Sequence, residues 1–224
     1  MRRFLRENSL SLFFLALLLA SVLGQSFAGQ HDYNAEQVEH GAEAVSWSSY
    51  AASSEFWSAV MENWQSEFLQ FSFFIAATIW LVQKGSNESK PLEDGGLESD
   101  QRQRLGGYAP QNAPRWAKAR DWRTAIYSHS LLVVMTTIFF LTWTAQSITS
   151  WNVFNDGQRE HGEASIGWLT YLRNPDFWEQ TLQNWQSEFL AVGTMAVFTI
   201  YLRQRGSPES KPVGAPHSET GSSG

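Results

Sequence analysis

The sequence contains no cysteine, which excludes disulfides and thiolate metal sites and leaves the compartment open. It also lacks a phosphate-binding loop, a nucleophile elbow, an HExxH helix and a dinucleotide fingerprint. None of the common short catalytic signatures therefore points to an enzyme. A third absence is local. Residues 30–62 hold Asp32, Glu36, Glu39, Glu43, Glu55 and Glu62 but neither lysine nor arginine, and the stretch 150–183 has Arg159 and Arg173 as its cations. The net charge of −6 therefore matters less than its distribution.

What is present is four apolar stretches, at 9–25, 68–82, 125–145 and 189–202, standing apart from polar segments. With their flanks each reaches roughly 18–21 residues, enough for a helix to cross a hydrocarbon core of about 30 Å. In lipid every backbone amide needs an internal partner, so such stretches read as spanning α-helices. Spans are expected at 9–28, 64–83, 125–148 and 185–204.

Asn63-Trp64-Gln65-Ser66-Glu67-Phe68-Leu69 returns letter for letter as Asn184-Trp185-Gln186-Ser187-Glu188-Phe189-Leu190. Residues 9–91 align with 130–212 without a gap, about 30 of the positions being identical. The matches include Glu39-His40-Gly41 with Glu160-His161-Gly162, and Gly85-Ser86 and Glu88-Ser89-Lys90-Pro91 with Gly206-Ser207 and Glu209-Ser210-Lys211-Pro212. This predicts a tandem duplication: unit 1–91 with its outer loop 30–62, a flexible linker 92–122, and unit 123–212 with its outer loop 150–183. A Gly-, Ser- and Pro-containing tail at 213–224 is expected to be disordered. Arg2, Arg3 and Arg6 ahead of an apolar run, with Ser26-Phe27-Ala28 before Gly29, also match a secretory signal. The run is longer than a usual signal core, and its repeat partner lies mid-chain, so retention of both is the expectation.

Lys84, Lys90, Arg102, Arg104, Arg115, Lys118, Arg120 and Arg123 follow the second apolar stretch, and Arg203, Arg205 and Lys211 follow the fourth. The positive-inside rule then puts both termini and the linker in the cytoplasm. Two crossings per unit make the repeat parallel, related by an axis along the membrane normal. The expected fold class is an all-α membrane protein with four transmembrane helices as two parallel tandem two-helix repeats.

Glu67 and Glu188 are the first candidate site. Each stands where a short apolar stretch must extend into the bilayer edge, and an ionisable group there is costly unless paired, hydrated or protonated. A parallel repeat puts both at one depth, where two carboxylates can share a proton or a cation. Helical spacing adds Asn63 and Thr78 beside Glu67, and Asn184 and Thr199 beside Glu188. Gln25-Ser26 and Gln146-Ser147 lie at the same outer level as natural partners. The same polar residues also serve as interhelical glue. Glu39, His40, Glu160 and His161 are weak candidate ligands for zinc or another divalent ion. No cofactor is predicted.

The repeated Asn-Trp-Gln-Ser-Glu-Phe-Leu with its trailing Gly-Ser-x-Glu-Ser-Lys-Pro resembles an uncharacterised bacterial family of small integral-membrane proteins carrying a domain of unknown function. The likeness spans essentially the whole chain. It implies a multi-pass inner-membrane protein and transfers no activity or ligand. Three classes follow. The first is a structural or interaction protein whose partners are the lipid bilayer and a second copy or another membrane protein, with no nucleic acid. The second is a proton- or cation-coupled channel or carrier using Glu67 and Glu188. The third is a metal-dependent membrane enzyme at the outer Glu-His pairs.

Overall fold

Long stretches free of proline, rich in straight-chain and aromatic residues, wind into long helices, and short polar breaks end them. The computed structural model describes residues 1–221. It contains α1 (Arg2–Glu7), α2 (Ser9–Glu39), α3 (Trp47–Ala51), α4 (Ser54–Trp80), α5 (Trp122–Ser128), α6 (Ser130–Glu160), α7 (Trp168–Tyr171) and α8 (Pro175–Tyr201). Two short 3-10 turns lie at Leu92–Asp94 and Gly106–Tyr108, and no strand occurs among the described residues. α2 and α6 are each 31 residues long, and α4 and α8 each 27.

Fewer of these helices have the composition of a membrane span than the sequence reading expects. Among the described residues α2 and α6 are long and apolar enough to cross a membrane, an 18-residue stretch of each having a mean hydropathy of 2.0 and 1.7 respectively. α4 and α8 are not. Asn-Trp-Gln-Ser-Glu occupies the middle of each, and the helices end at Trp80 and Tyr201, so an apolar window of spanning length does not fit. α2 and α6 also run well past their expected ends at 28 and 148, turning the first part of each outer connection into helix.

The chain divides into two compact units, neither of which follows the halves of the sequence. The first is Met1–Asn63 with Thr144–Phe177. Here α2 and α6 stop in the same way. Gly41 and Gly162 take left-handed backbone angles (φ 79° and 72°). The amides of Ala42 and Glu163 reach back to the carbonyls of Gln37 and Gln158 at 2.8 and 2.7 Å, satisfying helix-end oxygens that would otherwise be orphaned. The return is tied down by an asparagine on each long helix. Asn34 accepts from the amide of Val45 at 2.7 Å and donates to its carbonyl at 3.0 Å; Asn155 does the same with Ile166 at 2.8 and 3.0 Å. The indoles of Trp47 and Trp168 donate to Ser26 and Ser147 at 3.0 and 3.2 Å. Beneath them Tyr50 packs on Phe56 and Tyr171 on Phe177, with ring centroids 5.8 and 5.7 Å apart and the same interplanar angle of 61°. Fully burying a side chain of this size contributes about 2–3 kcal/mol.

The second unit is Trp64–Trp143 together with the chain from Trp178 onward. It contains most of α4 and α8, the first part of α6, and the polar segments after α4 and α8. The segment 92–122, read from sequence as a linker, is pinned at several points: Gly96 to the Ile79 carbonyl at 2.6 Å, Gly106 to the Ala117 carbonyl at 2.8 Å, and Arg102 to Asp94 at 2.5 Å. Of the stretch 213–224 expected to be a disordered tail, positions 222–224 lie outside the described residues. The remainder is held by several bonds, among them His217 Nδ1 with the Ile200 carbonyl at 2.9 Å and the Gly85 amide donating to Thr220 Oγ1 at 2.8 Å.

Candidate functional site

The repeated heptapeptide falls on α4 and α8, and the residues that meet are not the ones the carboxylate pairing emphasises. Gln65 is fully buried and its Oε1 accepts from the Trp185 indole at 2.8 Å. Ser66, 1% exposed, donates to Glu188 Oε1 at 3.3 Å. The position of one copy thus bonds the offset position of the other. Glu67 is exposed, and Glu188, half-buried, lies within its electrostatic reach. Phe73 and Phe189 meet edge to face at 5.9 Å, and Trp185 packs against Trp143 and Phe139 of α6 at 5.8 and 6.3 Å.

The flanking candidates separate. Asn63 and Asn184 donate back along their own helices, to the carbonyls of Ala59 and Gln180 at 2.8 and 2.9 Å. Thr78 likewise bonds the Phe74 carbonyl at 2.8 Å. Thr199 is buried and instead meets Ser86 Oγ at 3.1 Å and the Asn87 amide at 3.3 Å. Ser26 and Ser147 hold tryptophans, as described above, so their hydroxyls serve the outer connections. Gln25 is exposed, whereas its counterpart Gln146 is fully buried and neither end of its amide has a partner among the described residues. A buried amide left in this state is uncommon.

At the Glu-His pairs each imidazole is turned back onto its own helix: His40 Nδ1 lies 2.9 Å from the Glu36 carbonyl and His161 Nδ1 2.8 Å from that of Gly157. Among the described residues no group of three or more histidine, aspartate or glutamate side chains could hold a metal. Nearby carboxylates do crowd one another. Partial burial, and then repulsion from Glu36, Asp156 and Glu160, raises the Glu55 carboxyl above its ordinary range. Burial, and then the hydrogen bond to Asp176 at 2.9 Å, likewise holds the Tyr171 phenol protonated.

A second pair of carboxylates was missed in the sequence. A cleft of about 220 Å³ runs between Phe71 and Phe74 of α4 and Ala191, Val192 and Met195 of α8, with Glu88 and Glu209 at its edge. Burial, with a smaller repulsion from Glu209, raises the Glu88 carboxyl. The repeated Glu-Ser-Lys-Pro carried the signal, but the sequence reading uses it as a repeat match and not as a site. The family follows from the sequence as a whole, since the model described as Domain of unknown function (DUF6766) matches residues 1–222. The chain belongs to that family. No curated protein and no solved structure matches it. The DUF6766 assignment brings no activity with it, so the chemistry rests on the geometry above.

Proposed function

We propose that this DUF6766 protein is an integral protein of a bacterial inner membrane with a structural or interaction role. In this reading four helices cross the bilayer as two parallel two-helix repeats, with both termini and residues 92–122 cytoplasmic. α4 and α8 cross despite their polar middles because those polar groups are matched against each other. The observation that carries the reading is the Gln65–Trp185 bond, made by a fully buried amide. Buried polar side chains used for helix-to-helix bonds act as glue, and groups so engaged do not border an open path. The bare surface of α2 supports the same role. Leu10, Phe13, Phe14, Leu17 and Leu18 are all exposed, an apolar surface suited to lipid, a second copy or another membrane protein.

A specific observation favours a second reading, a proton or cation carrier: Glu67 lies in reach of Glu188, and Glu88 and Glu209 edge a cleft between the same two helices. Proteoliposomes decide between them. The structural reading expects no proton or cation flux from the intact chain, and loss of assembly on Gln65→Leu with Trp185→Phe. A flux that disappears in the Glu67→Gln, Glu188→Gln double variant while folding is retained would replace it by the carrier. The cysteine-free sequence allows topology to be read with single introduced thiols: Arg115→Cys is expected to resist an impermeant maleimide added outside, and Glu43→Cys to react.

A further inference from the structure

A cavity of about 730 Å³ in the second unit lies over the polar segment between α4 and α5. It is lined by Ile79 of α4, by Ala125, Ser128 and His129 around α5, and by Gly106, Gly107 and Tyr108. Most of the charges that line it are already matched. Lys90 pairs with Glu98 at 3.2 Å and donates to the Gly96 carbonyl, and Asp121 pairs with Arg123 at 2.8 Å. Arg120 and Asp100 also line it, and among the described residues neither side chain has a hydrogen bond or an ion pair.

Arg120 is held in an uncommon way. Its φ of 58° is the left-handed conformation that few non-glycine residues adopt. The turn is kept there by its amide, which donates to Thr124 Oγ1 at 3.0 Å, and by the Thr124 hydroxyl, which donates to the Trp116 carbonyl at 2.7 Å. The side chain then lies flat over two glycines. A Cβ on Gly107 would stand 2.6 Å from Nη2, and one on Gly106 3.1 Å from Cγ. A guanidinium seated this way, with all five N–H groups free of protein carboxylates, matches a phosphate oxygen fork.

Tyr108 lines the cavity, and further aromatic residues lie on the same stretch of chain, at 116, 122 and 127. Trp116, Trp122, Tyr108 and Tyr127 are all exposed, the amphipathic residues that favour the level of lipid headgroups. We propose that this cavity binds the headgroup of a zwitterionic aminophospholipid, its phosphate on Arg120 and its ammonium toward Asp100. The choice of a lipid over a soluble phosphate ester rests on the membrane reading above; the Arg120 seat does not.

The test is native mass spectrometry of the full chain released from detergent, titrated separately with phosphatidylethanolamine, phosphatidylglycerol and water-soluble glycerophosphoethanolamine. A one-to-one phosphatidylethanolamine adduct is expected, preferred over phosphatidylglycerol. Arg120→Gln should weaken it at least about tenfold, the scale of a lost charge-assisted contact. Gly107→Ala, which displaces the guanidinium while leaving the charge, should weaken it several-fold, and Asp100→Asn should bring the two lipids to parity. Arg104→Gln, outside the cavity, should change nothing. Equal adducts in wild type and Arg120→Gln, or none in wild type, overturn the site. Equal binding of glycerophosphoethanolamine overturns the lipid source and keeps the Arg120 seat. Recovery of the chain in the soluble fraction after alkaline extraction sinks the membrane reading independently of any adduct.

Discussion

Residues 85–91 and 206–212 share the letters Gly-Ser-x-Glu-Ser-Lys-Pro and open with the same turn, yet their lysines end in different surroundings. Gly85 and Gly206 both have positive φ, at 86° and 83°. Ser89 and Ser210 accept from the amides of Gln83 and Gln204 at 2.8 and 2.9 Å. Beyond that the copies part. Lys90 is partly exposed and pairs with Glu98 at 3.2 Å. Lys211 is fully buried, its ammonium enclosed by the carbonyl oxygens of Gly85, Pro216, His217 and Glu219 at 2.6–3.2 Å. A repeated motif therefore dictates the local turn, while the destination of a long side chain depends on what the chain later brings to it.

The sharpest way to break this comparison is to remove each ammonium in turn. Lys211→Met should cost about 3 kcal/mol or more, because buried carbonyls lose a charged donor. Lys90→Met should cost no more than about 1 kcal/mol, as partly exposed ion pairs do. Denaturant unfolding in detergent measures both, and equal losses would dissolve the distinction. A second contrast lies where Gly29 stands opposite the aligned Ser150. A Cβ on Gly29 would collide with the Tyr50 hydroxyl, whereas Ser150 is buried and bonded to Ser58 at 2.6 Å. Gly29→Ser should cost about 1–3 kcal/mol by overpacking, seen as a lowered midpoint of thermal unfolding. Gln146→Leu should be neutral or stabilising by up to about 1 kcal/mol, since it removes an amide with nothing to bond; Gln25→Leu, on the exposed copy, should not register.

The smallest effect concerns Glu55, whose carboxyl group is partly buried although the residue as a whole is exposed. Its raised value means that the folded state prefers the protonated form. The associated stability is complete below the ordinary carboxylate value near 4.5 and is lost as pH rises through the raised one. Glu55→Gln should flatten the melting temperature across that window, and an unchanged slope would show that Glu36, Asp156 and Glu160 do not crowd it. The aligned Asp176, which accepts from Tyr171, supplies the control.

That helices form around the four apolar stretches was legible because it follows from apolar length, whereas the continuation of α2 and α6 to Glu39 and Glu160 was not. The division into compact units was not, because it gathers residues from both copies. Asn34 and Asn155 could have been found, since they align and a polar residue retained on a long helix needs a task. Gln65 and Trp185 sit inside the repeated heptapeptide itself, but which letters of it meet depends on how α4 and α8 are rotated about their axes. Sequence spacing leaves that rotation open, and it drew attention to Glu67 and Glu188. Nothing in the letters around Arg120 announces a left-handed backbone, and the two glycines that seat its side chain lie 13 and 14 residues upstream.

Every hydrogen-bond partner of the Lys211 ammonium among the described residues is a main-chain oxygen. Apart from His217, whose ring bonds the Ile200 carbonyl, side chains at 213–219 matter less to this ammonium than spacing: one inserted or deleted residue between Lys211 and Glu219 would misplace oxygens that no choice of side chain could restore.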